Sequence, residues 1–384
     1  MHPKITILGA GLGGMITALS FAARNIPVTI IEGRSVSAEN FCADIRTTAL
    51  TASSKELFQS INIWDHLSKF AGPFNDIYVA DNKGAEMLHL SSKDLPKGEL
   101  MGYLLVNTEF KKILLELTQK NKFITLIDDT SYEIIGNSNA GSELILNQKV
   151  RHKCDLLIVC DGRNSPAKQK YFSAQTSKNY DQCAMTFIVH HEKPHEGTAV
   201  EYFMSSGPFA ILPLRDQNFS SVVWSIAAER KDAILNLPDE EFLYLVQQNF
   251  GEFLGKITIK SEVGAFPLKL YETCKYYNKR VVLVADTAHV MHPLAGQGLN
   301  QGIKDIESLT RLVAEQGASE YVLQQYQAER KKDNSNMLEL TDIINSVFSN
   351  HSKVFHAVRQ LGFKMIEGIP YLKKSLIKYA MGRR

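Results

Sequence analysis

The pattern of apolar and polar positions changes character several times along the 384-residue chain. It begins with "KITIL" (4–8), a short β-rich run, followed by "GAGLGG" and then by Leu12, Ile16, Leu19 and Ala23 at helical spacing. "VTIIE" reads as a second strand ending in Glu32, with "NIPV" as the turn, so the first thirty residues form a βαβ unit. Residues 44–67 contain Ser53-x-x-Glu56, a capping-box pattern ahead of a helix with Leu57 and Phe58. Strands joined by "DNKG" are expected over 76–106, a helix over 107–119, and then the strands "FITLI", "SELIL" and "CDLLIVCDG". From about 180 to 266 the texture turns to alternating strands, "CAMTFIV", "TAVEYFM", "FAILPL", "SSVVWSIAA" and "KITIKSEVGAF", with one helix near 239–250. "RVVLVAD" returns to the fully buried strand pattern, and a helix follows over 298–315.

Composition narrows the function classes. With 44% hydrophobic and 22% charged residues the chain suits a soluble globular protein of two to three domains. A net charge of +2 and the lack of a Lys/Arg block interleaved with aromatics argue against nucleic acid as a partner. Five cysteines (Cys42, Cys154, Cys160, Cys183, Cys274) show neither C-x-x-C nor metal-ligand spacing. Reduced structural thiols and no metal centre are expected. The first strand begins near Lys4, which leaves no room for a signal peptide, and no apolar run approaches the ~18 to 20 residues of a membrane span. A cytoplasmic protein is the expectation.

Three stretches carry chemistry. Gly9-x-Gly11-x-x-Gly14 follows a strand and opens a helix, with Glu32 about twenty residues on. Glycines at that spacing let a backbone approach a pyrophosphate at the helix N-terminus, and the acid accepts hydrogen bonds from a ribose. This motif alone does not choose between FAD and NAD, and a bare βα turn is the bland alternative. The strands "DLLIVCDG" and "VVLVAD" deliver Asp161 and Asp286 to the carboxyl edge of a parallel sheet, where ligands bind; each acid has a capping role as its plainer reading. In "PLAGQGLNQG", Pro293 and the glycines keep bulk away from a flat ligand, and the amides of Gly296, Gln297 and Gly298 lead into the 298–315 helix. The partial positive charge of that terminus would stabilise an anion on a reduced isoalloxazine.

Together, "GAGLGG" with Glu32, "CDLLIVCDGRNSPAK" and "ADTAHVMHPLAGQGLNQGIKD" resemble the three signatures of class A flavoprotein aromatic hydroxylases, which use FAD and NAD(P)H. "DIRTTAL", "YDQCAMTFIV", "GPFAILPL", "VVWS" and the carboxy-terminal "KVFHAVRQLGFKMIEGIPYLKKSLIKYAMG" are similar to the branch that hydroxylates polyprenyl phenols in ubiquinone biosynthesis. The resemblance implies an α/β fold. A discontinuous Rossmann-like FAD-binding domain would span 1–75, 107–178 and 271–340, with an inserted antiparallel β-sheet substrate domain, 76–106 and 179–270, and a C-terminal basic helical segment, 341–384. It further implies that Gly9, Gly11, Gly14 and Glu32 hold the adenosine diphosphate, with Arg46 and Asn107 beside the pyrophosphate. Asp286 would bind the ribityl chain, Asp161 would contact FAD and NAD(P)H, and Pro293, Gly296, Gln297, Gly298 and Asn300 would line the flavin. Three positions depart from the family pattern: Ala285 stands where glycine is common, Thr287 where alanine is usual, and Lys168 where arginine is usual.

The implied reaction hydroxylates an electron-rich ring with O2 and NAD(P)H and needs neither a catalytic triad nor a metal. His289 and His292 flank the flavin turn and are the candidate bases, with packing the commoner role for such histidines. Trp224, Tyr202 and Phe209 are candidates for a roof over the ring, with sheet core as the commoner reading. Residues 352–384 carry eight Lys/Arg against Glu367, a charge of +7, so the rest of the chain sums to −5. Val354, Val358, Leu361 and Met365 make one apolar stripe there, and Leu372, Leu376 and Tyr379 another. Such a segment either lies on an anionic membrane or packs on its own protein. The partners implied are a polyprenyl phenol, a membrane surface met through 352–384 on the inner face of the cell membrane, and a ubiquinone-biosynthesis complex. Rival readings are a hydroxylase of a soluble phenol, a non-catalytic flavin-binding subunit of a lipid-biosynthesis assembly, and an NAD-dependent dehydrogenase. The last leaves "PLAGQGLNQG" without a role, and a flavin-dependent halogenase lacks its W-x-W-x-I-P motif here.

Overall fold

Three apolar runs far apart in sequence, Ile5–Leu8, Leu156–Val159 and Val281–Leu283, are buried at every position and pair side by side in parallel. In the computed structural model, which describes residues 2–81, 87–94, 99–204, 207–292, 296–348, 362 and 365–383, they form the centre of a six-stranded sheet. Its order is Tyr277–Asn278, Val281–Leu283, Leu156–Val159, Ile5–Leu8, Val28–Ile31, Ile124–Ile127. A strand buried on both faces has no reason to alternate, which is why these runs read as continuous β-branched and leucine stretches. Their registers end level: Leu8 lies beside Val159 and Ile31, and Val159 beside Leu283. Four chain segments therefore leave the sheet at one edge.

The second large element is a nine-stranded, mostly antiparallel sheet. Its path runs His289–Val290, Gly264–Thr273, Ala174–His191, Phe219–Ala227, Gly207–Pro213, Thr198–Met204, Asp76–Asp81, Met87–Ser91, with Ile257–Ile259 also paired to Ala174–His191. Side chains alternate across such a sheet. Met185, Phe187, Val222, Trp224, Phe209 and Val200 point to one face, which the helix Asp239–Phe250 closes with Phe242, Val246 and Phe250. The residues between them face the parallel sheet; Ser221 there hydrogen-bonds Thr47 across the gap at 3.0 Å. Trp224 and Phe209 thus belong to the core behind this sheet, 6.0 Å apart between ring centroids, and not to a roof over the cavity. Tyr202 packs against the same core.

Three local expectations differ in the structure. The helix Ala52–Ser60 is capped by Thr51, whose hydroxyl accepts the Ser54 N–H, and not by Ser53. The strand Gly102–Val106 pairs with Thr47–Thr51 and Gly72–Phe74 in a separate three-stranded sheet, not with the large one. Residues 132–154 form their own antiparallel meander. The "DNKG" turn lies outside the described residues after Asp81.

The helix Pro370–Ala380 packs back on the large sheet: Ile377 and Met381 are buried with Phe74, Leu88, Leu90 and Met101, and Leu376 packs beside them. Leu376 therefore turns inward, while Tyr371 and Leu372 are exposed. Lys373 pairs with Glu367 and Asp94, and Arg383 with Glu56 and Glu99. The stripe at 354–361, and with it Lys353, Arg359 and Lys364, lies outside the described residues. Among the described residues no helix is long and apolar enough to cross a membrane.

Candidate active site

At the shared carboxyl edge of the parallel strands a cavity of about 800 Å³ runs along the seam between the two large sheets. One end is built by the glycine turn. Gly9 has φ +94°, and a Cβ on it would sit 2.8 Å from the Asp161 backbone; one on Gly14 would lie 1.9 Å from the Gly9 carbonyl oxygen. Those two glycines allow close packing of turn, helix and neighbouring strand. Gly11 differs, since a Cβ there would meet no atom within 4 Å and would project into open space. Of the three, Gly9 and Gly11 line the cavity, and Gly14 is buried behind them. The helix Leu12–Ala22 starts without a side-chain cap and without an acid in its first turn, which leaves its amides available to an anion.

Glu32 ends its strand as the motif requires. Its carboxylate accepts N–H bonds from Ala10 at 2.7 Å and Arg34 at 3.0 Å, so it braces the glycine turn while lining the cavity. Each carboxylate oxygen retains lone pairs for hydroxyls. Arg46 stands further along, gripped by Asp44 through bonds of 2.8 and 2.6 Å and lying 5.2 Å from the Phe266 ring centroid. Burial works to raise the Asp44 carboxyl, but the Arg46 bonds outweigh it and hold it below the usual range. Asn107 donates to Asp44 at 3.4 Å and accepts from Thr48 at 2.6 Å. Arg46, Asn107 and Asp44 all line the cavity. Asp44 was missed in the sequence although it opens the "DIR" triplet, because its role is to fix Arg46.

Asp161 and Asp286 reach the cavity from adjacent strand ends. Tyr132 donates to Asp161, whose carboxyl burial pushes up. The two strand ends are tied together, since the Thr287 hydroxyl accepts the Gly162 N–H at 3.2 Å. That gives the unusual threonine a purpose an alanine would not serve. Ala285 sits in the left-handed region at φ +57°, which explains why glycine suits this position, and its N–H is held by Asp305 at 3.3 Å.

Beyond Asp286 the chain reaches the helix Gln297–Gln316 through Gly296, which has φ +61° and provides no side-chain cap. Gly296 and Gly298 line the cavity, and a Cβ on Gly298 would meet nothing within 4 Å. Pro293 lies outside the described residues. Gln297 and Asn300 take other places. Asn300 is 1% exposed; it donates to Ala49 O and Gly296 O and accepts from Thr51 and Ser54, so it shapes the turn from behind. Gln297 is buried and bonds Ala380 O at 3.5 Å.

The two candidate histidines are not at the cavity. His289 is 1% exposed with Nε2 2.6 Å from Asp305, which also receives Arg330 at 2.8 Å and Asn334 at 3.0 Å. Burial works to raise Asp305, yet His289 and Arg330 together hold it at about 2. His292 is fully buried, edge-on to Tyr180, and burial pushes its imidazole down to about 4. Neither can take a proton from a ring in the cavity. Lys168 also turns away: its ammonium donates to Arg163 O and lies 4.2 Å from the Tyr271 ring centroid.

From the large sheet the cavity wall is Ala184, Thr186, Val223 and the segment Phe266–Lys269. Small side chains opposite a helix N-terminus leave a slot for a flat ring. The glycine cradle, Glu32, two strand-end acids and the uncapped turn at Gly296 fit a dinucleotide of FAD's length and chemistry. FAD would be held by Gly9, Gly11, Glu32, Arg46, Asn107, Asp161, Asp286, Gly296 and Gly298.

Comparison with known proteins agrees with this geometry. The "FAD binding domain" family model matches residues 3–341. A ubiquinone hydroxylase of Rhodospirillum rubrum is 31% identical over 98% of this chain and 89% of its own length. The 3-demethoxyubiquinol 3-hydroxylase of Escherichia coli is 29% identical over 99% and 98%. Among solved structures, the p-nitrophenol 4-monooxygenase of Pseudomonas putida superposes with a TM-score of 0.81 at 15% identity, covering 100% of this chain and 99% of that one.

Proposed function

The chain belongs to the FAD-binding-domain family of flavoprotein hydroxylases, and on that basis we propose that it is an FAD-dependent monooxygenase that uses NAD(P)H and O2 to hydroxylate the ring of a polyprenyl phenol in ubiquinone biosynthesis. The observation that carries this reading is the single cavity that joins a pyrophosphate cradle at Gly11 to a small-residue slot at Gly296, Val223 and Thr186. A nicotinamide dehydrogenase has no use for the second end. When bound, FAD takes two electrons from NAD(P)H and activates O2. One oxygen atom then enters the ring, the other leaves as water, and the displaced ring hydrogen leaves as a proton.

The chain's own residues supply position and exclusion. Gly9 and Gly11 admit the pyrophosphate, Glu32 accepts ribose hydroxyls, and Asp286 accepts from the polyol chain. The amides before the Gln297–Gln316 helix direct partial positive charge at the ring end, where reduced flavin carries negative charge. The two sheets close over the seam and keep water from the reacting carbon.

A polyprenyl tail stays in a bilayer, since burial stabilises it by roughly 0.8 kcal/mol per methylene. The helix Pro370–Ala380 supports a membrane-facing reading. It anchors through Ile377 and exposes Tyr371, Leu372, Lys374 and Lys378 on its outer side. Its neighbours on the protein are the large sheet and Gln297 at the cavity's ring end. The experiment is to load the purified protein with FAD and supply NAD(P)H and a polyprenyl phenol in anionic vesicles. Catechol formation coupled to NAD(P)H oxidation is expected. Hydroxylation of water-soluble phenols alone would favour the soluble-substrate reading, and flavin-loaded protein without any oxidation would favour a scaffold.

A further inference from the structure

We propose that Glu201 is the catalytic group that receives the ring hydroxyl of the substrate and takes its proton as the new C–O bond forms. The inference rests on the hydroxylase reading above and adds to it the acid–base residue that neither histidine can provide.

Strand register carries the argument. In the large sheet Thr186 pairs with Val223, Val223 with Ala210, Ala210 with Glu201, and Glu201 with Val79. Directly paired residues share a face. Thr186 and Val223 line the cavity, so Glu201 belongs to the same face, two strands beyond Val223, or about 10 Å. Its chain neighbours Val200 and Tyr202 point the other way, into the core closed by the Asp239–Phe250 helix. Between Val223 and Glu201 stands only the methyl group of Ala210. A single aromatic ring laid over that methyl reaches from the cavity wall to the Glu201 carboxyl.

The carboxyl itself is in an unusual state for a surface-strand glutamate. It lies deep within the protein yet keeps accessible surface, so open space adjoins it. Among the described residues no hydrogen bond or ion pair that the geometry allows reaches it, and burial alone pushes it up to about 8. A carboxylate left in such a place without a partner is costly, and structural roles do not require one. A phenol supplies the missing partner. Its O–H meets the carboxylate in a charge-assisted hydrogen bond. As O2-derived oxygen bonds to the ring carbon, the phenolic proton passes to Glu201 and the oxygen's electron pair flows into the ring. Loss of the ring C–H proton then restores aromaticity, and Glu201 returns its proton to the phenolic oxygen. The two electrons and the second oxygen atom are accounted for by NAD(P)H and water, as in the overall reaction. Apolar Ala210, Val223 and Val79 around it admit the hydrocarbon portion of the same ligand.

The test uses the FAD-loaded protein and three variants, Glu201→Gln, Glu201→Asp and Glu201→Leu, with flavin absorbance and thermal midpoint as checks of folding. 2-Prenylphenol and its methyl ether in detergent micelles are titrated against the flavin spectrum. Catechol formed per NAD(P)H oxidised is measured for the phenol. The wild type is expected to bind the phenol at least about tenfold more tightly than the ether, a preference that Glu201→Leu loses. Glu201→Gln is expected to keep part of the preference but to lose about a hundredfold or more in catechol formation, and Glu201→Asp to recover part of it. A folded Glu201→Leu that keeps both the preference and the catechol yield overturns the assignment. If the wild type makes no catechol from any prenyl phenol, the function is refuted, and the phenol-over-ether preference still decides whether Glu201 meets the ligand.

Discussion

Replacing Gly302 by alanine tests how the Asp286 turn is held. Gly302 lies in the helix that begins at the flavin turn, and its Cβ would fall 2.6 Å from Ala285 Cβ and 3.2 Å from Ala285 Cα. Ala285 cannot retreat freely: it is already at φ +57°, and Asp305 holds its N–H. Any shift rotates the dihedral that aims Asp286 into the cavity. Overpacking costs about 1–3 kcal/mol, against about 0.8–1 kcal/mol gained by removing a helix glycine. Gly302→Ala should therefore destabilise by about 1–2 kcal/mol and weaken FAD retention. Ala285→Gly alone should be nearly neutral, because relief of the left-handed residue, about 1–2 kcal/mol, is offset by a lost buried methyl of about 0.8 kcal/mol and a freer unfolded chain. In that background the 2.6 Å contact no longer exists, so Gly302→Ala should become neutral or stabilising. The expected coupling is about 1–3 kcal/mol. Urea unfolding of the four proteins, followed by circular dichroism and by flavin fluorescence, measures it. Additivity within about 0.5 kcal/mol would refute the claim that the Ala285 methyl is the obstacle.

Further expectations are direct. Gly11→Val should fold normally and lose FAD, since its side chain enters only the cavity, whereas Gly14→Ala should fail to fold against the Gly9 carbonyl; equal yields of yellow protein would contradict the division. The buried His292 imidazole titrates at about 4 in the folded protein against 6.5 when unfolded, so the unfolded chain binds more protons between those values. Stability should fall as pH drops from about 6.5 to about 4, by roughly 3 kcal/mol, and His292→Gln should flatten that stretch of the unfolding curve. Lys374→Glu with Lys378→Glu should weaken partition onto anionic vesicles roughly thirtyfold at low salt, at about 1 kcal/mol per cation; unchanged partition would remove this helix from the membrane reading.

Much of the architecture is written in local pattern. The turn at Gly9–Gly14, the helix Asn107–Lys120, the helix Asp239–Phe250 and the buried strands Leu156–Val159 and Val281–Leu283 announce themselves through short-range spacing. What depends on distant pairing does not. Gly102–Val106 looks like a strand, but nothing in it specifies Thr47–Thr51 as its partner. Alternation in "SSVVWSIAA" and "TAVEYFM" shows two faces without saying which one meets the cofactor, so Trp224 drew notice and Glu201 did not. His289 looked like a base because its partner Asp305 is sixteen residues away and Arg330 is twenty-five beyond that.

The interleaving of the parallel sheet has a consequence for how the protein is made. Ile5–Leu8 neighbours Leu156–Val159, which in turn neighbours Val281–Leu283, and the entire run from Ala174 to Thr273 is threaded between the last two. At about 5–20 residues per second, a ribosome needs roughly 6 to 24 seconds to go from one of those strands to the next. During that interval the edge that later receives Val281–Leu283 is bare. The intervening sheet has time to form as a unit, and the nucleotide cradle closes only after most of the chain has emerged.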